Sequence, residues 1–155
     1  MTFSTQFSSF AGPLTLEGDD HVLTRVGFGA PGAQQGHAEA LSTAVTQLEQ
    51  YFAGERTEFD LEVELHGTPL ERRVWEEVSA IPYGETATYA EIARRIGRPD
   101  ACRAVGRANG RNPLAVIVPC HRVVGSDGSL TGYAGGLEMK RALLDLERAG
   151  CIAAG

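Results

Sequence analysis

Cys120 is the residue of this chain best placed for covalent chemistry. It lies in Ile117-Val118-Pro119-Cys120-His121-Arg122-Val123, after an apolar run and a proline and directly before a histidine. A thiolate is the strongest nucleophile among ordinary side chains, and a neighbouring imidazole can keep it deprotonated near neutral pH. A lone free cysteine is more often a buried structural residue, so on this heptad alone the two readings stand even. On an extended strand Cys120 and His121 would point to opposite faces. Their pairing requires a turn at this point or a bridging water. His121 also needs a partner for its other ring nitrogen. Glu147 can supply it if the last predicted helix packs beside the cysteine; otherwise it reads as a surface carboxylate near Arg148.

Around the cysteine stand further candidates. Asn112, in Arg111-Asn112-Pro113, is a turn residue by type and a possible hydrogen-bonding bracket between neighbouring segments. Arg103, Arg107 and Arg111 alternate with Ala104, Gly106 and Ala108. Small residues let a helix come close to another helix or to a nucleic-acid groove, where an arginine reaches bases or phosphates; the two readings weigh about equally. Tyr133 with Gly135-Gly136 offers a ring and bare backbone, which suit a flat heterocycle. Tyr89 opens a predicted helix and either packs or meets a phosphate. Cys102 reads as buried and Cys151 as an exposed tail thiol. His21, His37 and His66 have no metal-ligand spacing, and none of the three cysteines forms C-x-x-C.

The elements that must position these residues fall into two parts. Residues 3–10, 13–17 and 21–28 alternate as short strands, punctuated by Gly12-Pro13 and Gly18-Asp19-Asp20. Residues 29–36 read as a loop. Residues 37–52 carry Leu41, Val45, Leu48 and Phe52 at helical spacing. Residues 58–65 alternate strictly and predict a strand or extended segment with an acidic face. The boundary falls at His66-Gly67. Thr68-Pro69-Leu70-Glu71 is a capping box with proline at the first helical position, opening a helix through Val74, Trp75, Val78 and Ile81. Thr88-Tyr89-Ala90-Glu91 is a second box. Residues 97–100 form a tight connection, with Asp100 expected to cap a helix over 101–109, and the pair suggests a helix-turn-helix. An apolar run, 114–118, leads into the cysteine. After a glycine-rich loop, residues 137–149 form a last helix with Gly150 as its stop. The fold class is therefore α+β.

Composition narrows the rest. An apolar fraction of 43% suffices for a core, and no apolar run is long enough to span a membrane. No secretory signal is read at the N-terminus, and with an odd number of cysteines the expected compartment is the cytoplasm. The net charge of -6 hides an asymmetry, because residues 89–122 hold seven arginines against two acids. A basic segment on an acidic body can bind a phosphate backbone locally, since salt screens distant acids over about 8–10 Å.

These residues together resemble the O6-alkylguanine-DNA alkyltransferases, also called methylated-DNA–protein-cysteine methyltransferases. The likeness rests on Pro119-Cys120-His121-Arg122-Val123, on Arg103-Ala104-Val105-Gly106, Asn112-Pro113, Gly132-Tyr133 with Gly135-Gly136-Leu137, and on Glu147. It is specific from Thr68 to about Gly150 and weaker over 1–66, where Gly12-Pro13-Leu14 and residues 48–59 still fit. The resemblance implies a ribonuclease H-like α/β domain over 1–66 and a mostly helical DNA-binding and alkyl-transfer domain over 67–155. It implies that Cys120 takes the alkyl group from O6 of guanine, and also from O4-alkylthymine, in a single irreversible displacement. It makes Glu147, His121 and a water a relay to the thiol, and Asn112 the hinge between recognition helix and cysteine. Arg103 becomes the finger that replaces a flipped nucleotide, and Tyr89 the residue that presses on its phosphate. Ala104, Gly106, Arg107, Ala108 and Arg111 complete a minor-groove surface. Tyr133, Ser126, Val123 and Gly135 shape the base pocket, with Tyr133 hydrogen-bonding or protonating the leaving base. Some relatives hold a structural zinc through N-terminal cysteines; here no cysteine precedes Cys102, so no metal and no cofactor are expected. The partner is double-stranded DNA carrying O6-alkylguanine. The protein is expected as a monomer in solution, with cooperation between copies on DNA left open. A helix-turn-helix module with an inert cysteine remains the alternative. A Cys-His hydrolase is a third reading, weakened by the absence of an evident oxyanion-hole motif.

Overall fold

The computed structural model describes residues 1–154, with side chains through residue 150; Cys151, expected as a tail thiol, lies outside the described side chains. The N-terminal runs form β1 (Phe3–Ser9), β2 (Gly12–Gly18) and β3 (Leu23–Gly27), paired antiparallel in sequence. The expected loop over 29–36 contains a two-residue strand, β4 (Gln34–Gln35), parallel to β1, so the sheet order is β3-β2-β1-β4. Ser4 anchors it, its hydroxyl donating to Ala33 O at 2.9 Å and its carbonyl accepting from Gly36 N at 3.1 Å.

Helix α1 (Glu39–Phe52) covers the sheet. Its buried stripe is Leu41, Ala44, Leu48 and Tyr51, whereas Val45 and Phe52 are half-buried. The buried face is thus rotated by about half a residue, roughly 50°, from the expected stripe. Both sets lie on one face at about 100° per residue, with centres about 50° apart, so spacing alone does not choose between them; the sheet and the buried Glu147 carboxylate, which accepts from Tyr51, set the face. Each large apolar side chain so buried contributes roughly 1.5–3 kcal/mol. The rotation aims Tyr51 into the centre of the molecule.

Residues 57–65 run extended. Phe59, Leu61, Val63 and Leu65 face inward, and Glu58, Asp60, Glu62 and Glu64 stay exposed, as alternation predicts. The segment makes one bridge to β3 at Leu23 and Val63, and the Gln47 side chain pairs with both backbone groups of Asp60 at 2.9 Å.

Helix α2 (Pro69–Ser79) opens with both halves of the Thr68–Glu71 capping box. It buries Val74, Trp75 and Val78. The strand β5 (Ala87–Thr88) leads into α3 (Tyr89–Arg95), and α4 (Cys102–Gly110) follows. The second box is only half formed: Thr88 Oγ1 accepts from Glu91 N, but the Glu91 carboxylate turns to Thr88 Oγ1 and Arg95. Asp100 does not cap α4. A turn closed by Ala101 N to Arg98 O at 2.9 Å shifts the cap to Ala101, which has no side chain to offer. The indole of Trp75 donates to Ala108 O at 2.8 Å and ties α2 to the end of α4.

Residues 113–119 form no regular strand. Val26 and Leu114 bridge, with Val26 N donating to Pro113 O and Ala115 N to Val26 O, both at 2.9 Å. The N-terminal sheet therefore grips the segment that leads to the cysteine, and the buried side chains of both halves form one continuous core. Val116 has φ +71°, and Ile117 N donates to Ala115 O at 2.8 Å around it. This is the rarer γ-turn, a strained state for a β-branched residue. A second γ-turn at Pro119 (φ -79°, ψ 63°) brings Cys120 N to Val118 O at 2.7 Å. Cys120–Arg122 then form one 3-10 turn, followed by β6 (Val123–Val124), parallel to β5. Helix α5 (Leu137–Ala154) runs past Gly150. That glycine is not a stop: a Cβ there would collide with the Tyr83 hydroxyl. Leu137 is 49% exposed, and Met139, Leu143 and Leu144 carry the packing.

Candidate active site

The 3-10 turn answers the geometric question raised by the Cys-His neighbours. It takes Cys120 off an extended path and sends His121 inward, where its ring is fully buried. His121 Nε2 lies 2.7 Å from Glu147 Oε2. Glu147, on α5, is fully buried rather than a surface group. Arg122 grips the same carboxylate, donating through Nε to Oε1 at 2.7 Å and through a terminal nitrogen to Oε2 at 3.0 Å, while its other nitrogen reaches Ile81 O. The Tyr51 hydroxyl, from α1, donates to Oε2 at 2.5 Å. Gly84 N points at Oε1 from 3.4 Å. Nearly every acceptor direction of Glu147 is thus used.

Burial would push the Glu147 carboxyl up, but the hydrogen bonds and charges around it win and hold it down at about 2. Burial pushes the His121 imidazole below its ordinary value, and the Glu147 hydrogen bond and charge only partly oppose this. His121 is therefore neutral at neutral pH, and the lasting positive partner of Glu147 is Arg122. A neutral imidazole that donates from Nε2 presents Nδ1 as an acceptor, and Nδ1 is buried with no protein partner. Tyr51 stays a donor, because burial and the Glu147 charge push its phenol far up.

Cys120 is 7% exposed, and burial raises its thiol, against the opposing influence of Asn112, Lys140 and Tyr133. The resting group is the thiol, so a base is needed to make the thiolate. Lys140 is a buried ammonium on α5 that donates to Val123 O at 2.6 Å and Thr131 O at 2.8 Å; its charge favours the thiolate. The amide of Asn112 donates to Val118 O at 2.8 Å and accepts from Leu114 N at 2.9 Å, bracing the two γ-turns. The amide of Asn109 donates to Cys120 O at 3.2 Å and ties α4 to the cysteine directly. Cys120 opens on a cleft of about 20 Å³, walled by Phe28, Asn109, Asn112, Ala115 and Tyr133. That volume holds a water. The Tyr133 ring stacks edge-on against Phe28, 5.5 Å between centroids, and its hydroxyl is buried without a partner.

On the outer side, Arg103, Arg107 and Arg111 are all exposed, and the first two share one face of α4 at i and i+4. Residues 3–65 match the ribonuclease-like domain of 6-O-methylguanine DNA methyltransferase, and residues 69–149 match the DNA binding domain of the same protein. The chain belongs to that family. The methylated-DNA–protein-cysteine methyltransferase of Mycobacterium tuberculosis is 54% identical over 143 residues, covering 88% of this chain and 87% of the relative. The protein of the same name from Methanosarcina acetivorans is 49% identical over 148 residues, covering 91% and 95%. A crystal structure of the Mycobacterium tuberculosis OGT in complex with DNA superposes with a TM-score of 0.87 at 51% identity, covering 96% of this chain and 93% of the other.

In this family member the structure brings Cys120, Asn112 and Tyr133 together at one cleft, with His121 and Glu147 behind it. Other expected residues lie elsewhere. Ala108 is 2% exposed and turns toward α2 instead of the arginine face. Ser126 is exposed, and Val123 and Gly135 do not line the cleft; a Cβ on Gly135 would meet Phe28 and Met139. Tyr89 packs beside Gly106, and its hydroxyl accepts from Thr131 at 3.2 Å. Cys102 is half-buried, not fully buried. Among the described residues, no cluster of His, Cys, Asp and Glu is placed to hold a metal, and no helix is long and apolar enough to cross a membrane. Sequence reasoning missed Tyr51, Asn109 and Lys140 and gave Arg122 no role beyond its place in the cysteine motif and the basic run. Tyr51 and Glu147 are 96 positions apart, and no local pattern marks that pair.

Proposed function

We propose that this protein repairs DNA by moving the alkyl group of O6-alkylguanine irreversibly onto its own Cys120, one group per molecule. The observation that carries the assignment of roles is the buried pair Glu147–His121, whose other ring nitrogen, Nδ1, is left without a partner on the residue next to Cys120 in the chain. A water between Sγ and Nδ1 takes the thiol proton to His121, and Glu147 holds the resulting imidazolium. The thiolate attacks the alkyl carbon from the side opposite O6. The S–C bond forms, the C–O6 bond breaks, and its electron pair stays on guanine, where Tyr133 donates a hydrogen bond or a proton to the leaving oxygen. The product thioether is stable and the relay has no group able to cleave it, so the protein is spent.

The thiol is buried and O6 of a stacked guanine is not within its reach, so the nucleotide must leave the duplex. Helix α4 suits the groove side of that event. A Cβ at Gly106 would meet only the Tyr89 ring at ordinary contact, and at Gly110 nothing. Internal packing does not demand small residues there, which leaves them for a close approach to the minor groove. Arg103 fills the vacated stack, Arg107 and Arg111 engage phosphates, and Tyr89 presses on the backbone. Residues 1–66 form the α/β domain that supports the relay through Tyr51, and residues 67–155 form the DNA-binding and transferring domain. A single copy acts on each lesion.

Incubation with duplex DNA carrying O6-methylguanine, followed by peptide mass spectrometry, is the test. One methyl group on the Cys120 peptide per protein is expected. Multiple turnover, or repair by Cys120→Ala, would overturn the reading. Binding without any covalent change would favour the inert helix-turn-helix module.

A further inference from the structure

Among the described residues, three buried side-chain polar atoms have no hydrogen-bond partner: His121 Nδ1, Tyr133 Oη and Asn109 Oδ1. All three belong to residues at or next to the cysteine turn. Native interiors leave few such atoms unpaired, and each calls for an explanation. The first two have one in the relay and in the leaving oxygen. The third does not.

Asn109 is 5% exposed and lines the cleft with Cys120. Its amide orientation is fixed by chemistry. The group 3.2 Å from it is the Cys120 carbonyl, which only the NH2 end can satisfy. The oxygen is therefore the end left open. It is a neutral acceptor, held rigidly by the backbone of the nucleophile itself.

The base brought to Cys120, which must widen a cleft now sized for a water, has few donors. Alkylation at O6 removes the proton from N1 of guanine, so the exocyclic 2-amine is its only N–H donor. Alkylation at O4 removes the proton from N3 of thymine, and no N–H donor remains. We propose that Asn109 is a specificity-determining residue whose Oδ1 accepts a hydrogen bond from the 2-amine of the extruded O6-alkylguanine. This inference rests on the alkyl-transfer reading. It makes O4-alkylthymine a poorer substrate, because that base leaves Asn109 Oδ1 buried and unpaired, the kind of mismatch that discriminates strongly between otherwise similar ligands.

The experiment measures single-turnover methylation of Cys120 by three duplexes, carrying O6-methylguanine, O6-methylhypoxanthine (the same base without its 2-amine) or O4-methylthymine. Wild-type protein, Asn109→Ala and Asn109→Leu are compared. Wild type should react about tenfold to a hundredfold more slowly with O6-methylhypoxanthine than with O6-methylguanine. Both variants should lose rate on O6-methylguanine and show little further loss when the 2-amine is removed. An equal loss on both purines would reduce Asn109 to a brace for the Cys120 carbonyl and overturn the proposal. Should the variants fold poorly, equal wild-type rates on the two purines overturn it equally well. Absence of transfer from every duplex to wild-type Cys120 is a different result, which defeats the alkyl-transfer reading itself.

Discussion

Replacing Glu147 by glutamine tests the centre of the site with almost no change of shape. The carboxylate accepts from His121, Tyr51 and both edges of the Arg122 guanidinium. Glutamine keeps one oxygen but brings an NH2 group against Arg122. The guanidinium, 7% exposed, then keeps the Ile81 carbonyl and one hydrogen bond to the retained oxygen but loses its counter-charge. Leaving such a charge unpaired costs about 3–5 kcal/mol, a large part of the ~5–15 kcal/mol that a domain has. For a chain of this size the melting temperature should fall by roughly 6–20 °C. The chemical effect is separate. In the transition state His121 becomes a cation 2.7 Å from Oε2. With the charge centres about 4 Å apart and an effective dielectric near 20, the lost attraction is about 4 kcal/mol, or roughly a thousandfold in rate. Single-turnover methylation of Cys120 at 25 °C and thermal unfolding of the same preparation measure the two effects. A variant that melts with wild type and transfers at wild-type rate would refute the assigned role of the buried carboxylate.

The same carboxylate governs acid stability. Glu147 is held at about 2 against an ordinary 4.5, so its contribution is complete above about pH 4.5 and is lost as pH falls toward 2. The shift corresponds to about 3 kcal/mol, and urea unfolding across that window should show the decline in wild type and a flatter profile in Glu147→Gln. Tyr51→Phe removes one donor to a charged acceptor and should cost about 1.5–3 kcal/mol; the carboxylate becomes more basic and the acid limb of the rate–pH profile shifts, whereas an unshifted profile would confine Tyr51 to packing. Asn112→Ala unpins the γ-turns before Cys120 and should lower the transfer rate more than the affinity for intact DNA, by comparison of single-turnover rates with binding titrations. Arg107→Ala should weaken DNA binding uniformly across sequences and reduce the slope of log affinity against log salt by about one; an unchanged slope would remove Arg107 from the phosphate contacts.

Local rules carried much of the fold. Three alternating runs became three strands, and the Thr68 box with Pro69 opened α2 where the residue types demand it. They failed where a competing contact set the outcome. Asp100 is a good cap by type, but the turn at Arg98 to Ala101 leaves it outside the helix. Gly150 is a good stop by type, yet α5 continues through it because the missing Cβ makes room for Tyr83. A local turn in the first case and a long-range contact in the second outweighed a propensity worth about 1 kcal/mol.

The site divides along the same line. Cys120, His121 and Asn112 are legible in sequence because they sit within nine residues of one another, where local geometry limits what they can do. Glu147 is nominated there as a partner for His121, but residue type alone leaves it a surface carboxylate until the family likeness selects it. Which nitrogen of His121 is open, why Arg122 points inward and what completes the carboxylate were decided by packing. Tyr51 comes from α1, just beside the expected stripe, and Lys140 from the first turn of α5. Hydrogen bonds between groups 17 to 96 positions apart exist only after the core closes. The nucleophile is therefore written in the order of residues, and its ionisation is set by the tertiary structure that excludes water from around it.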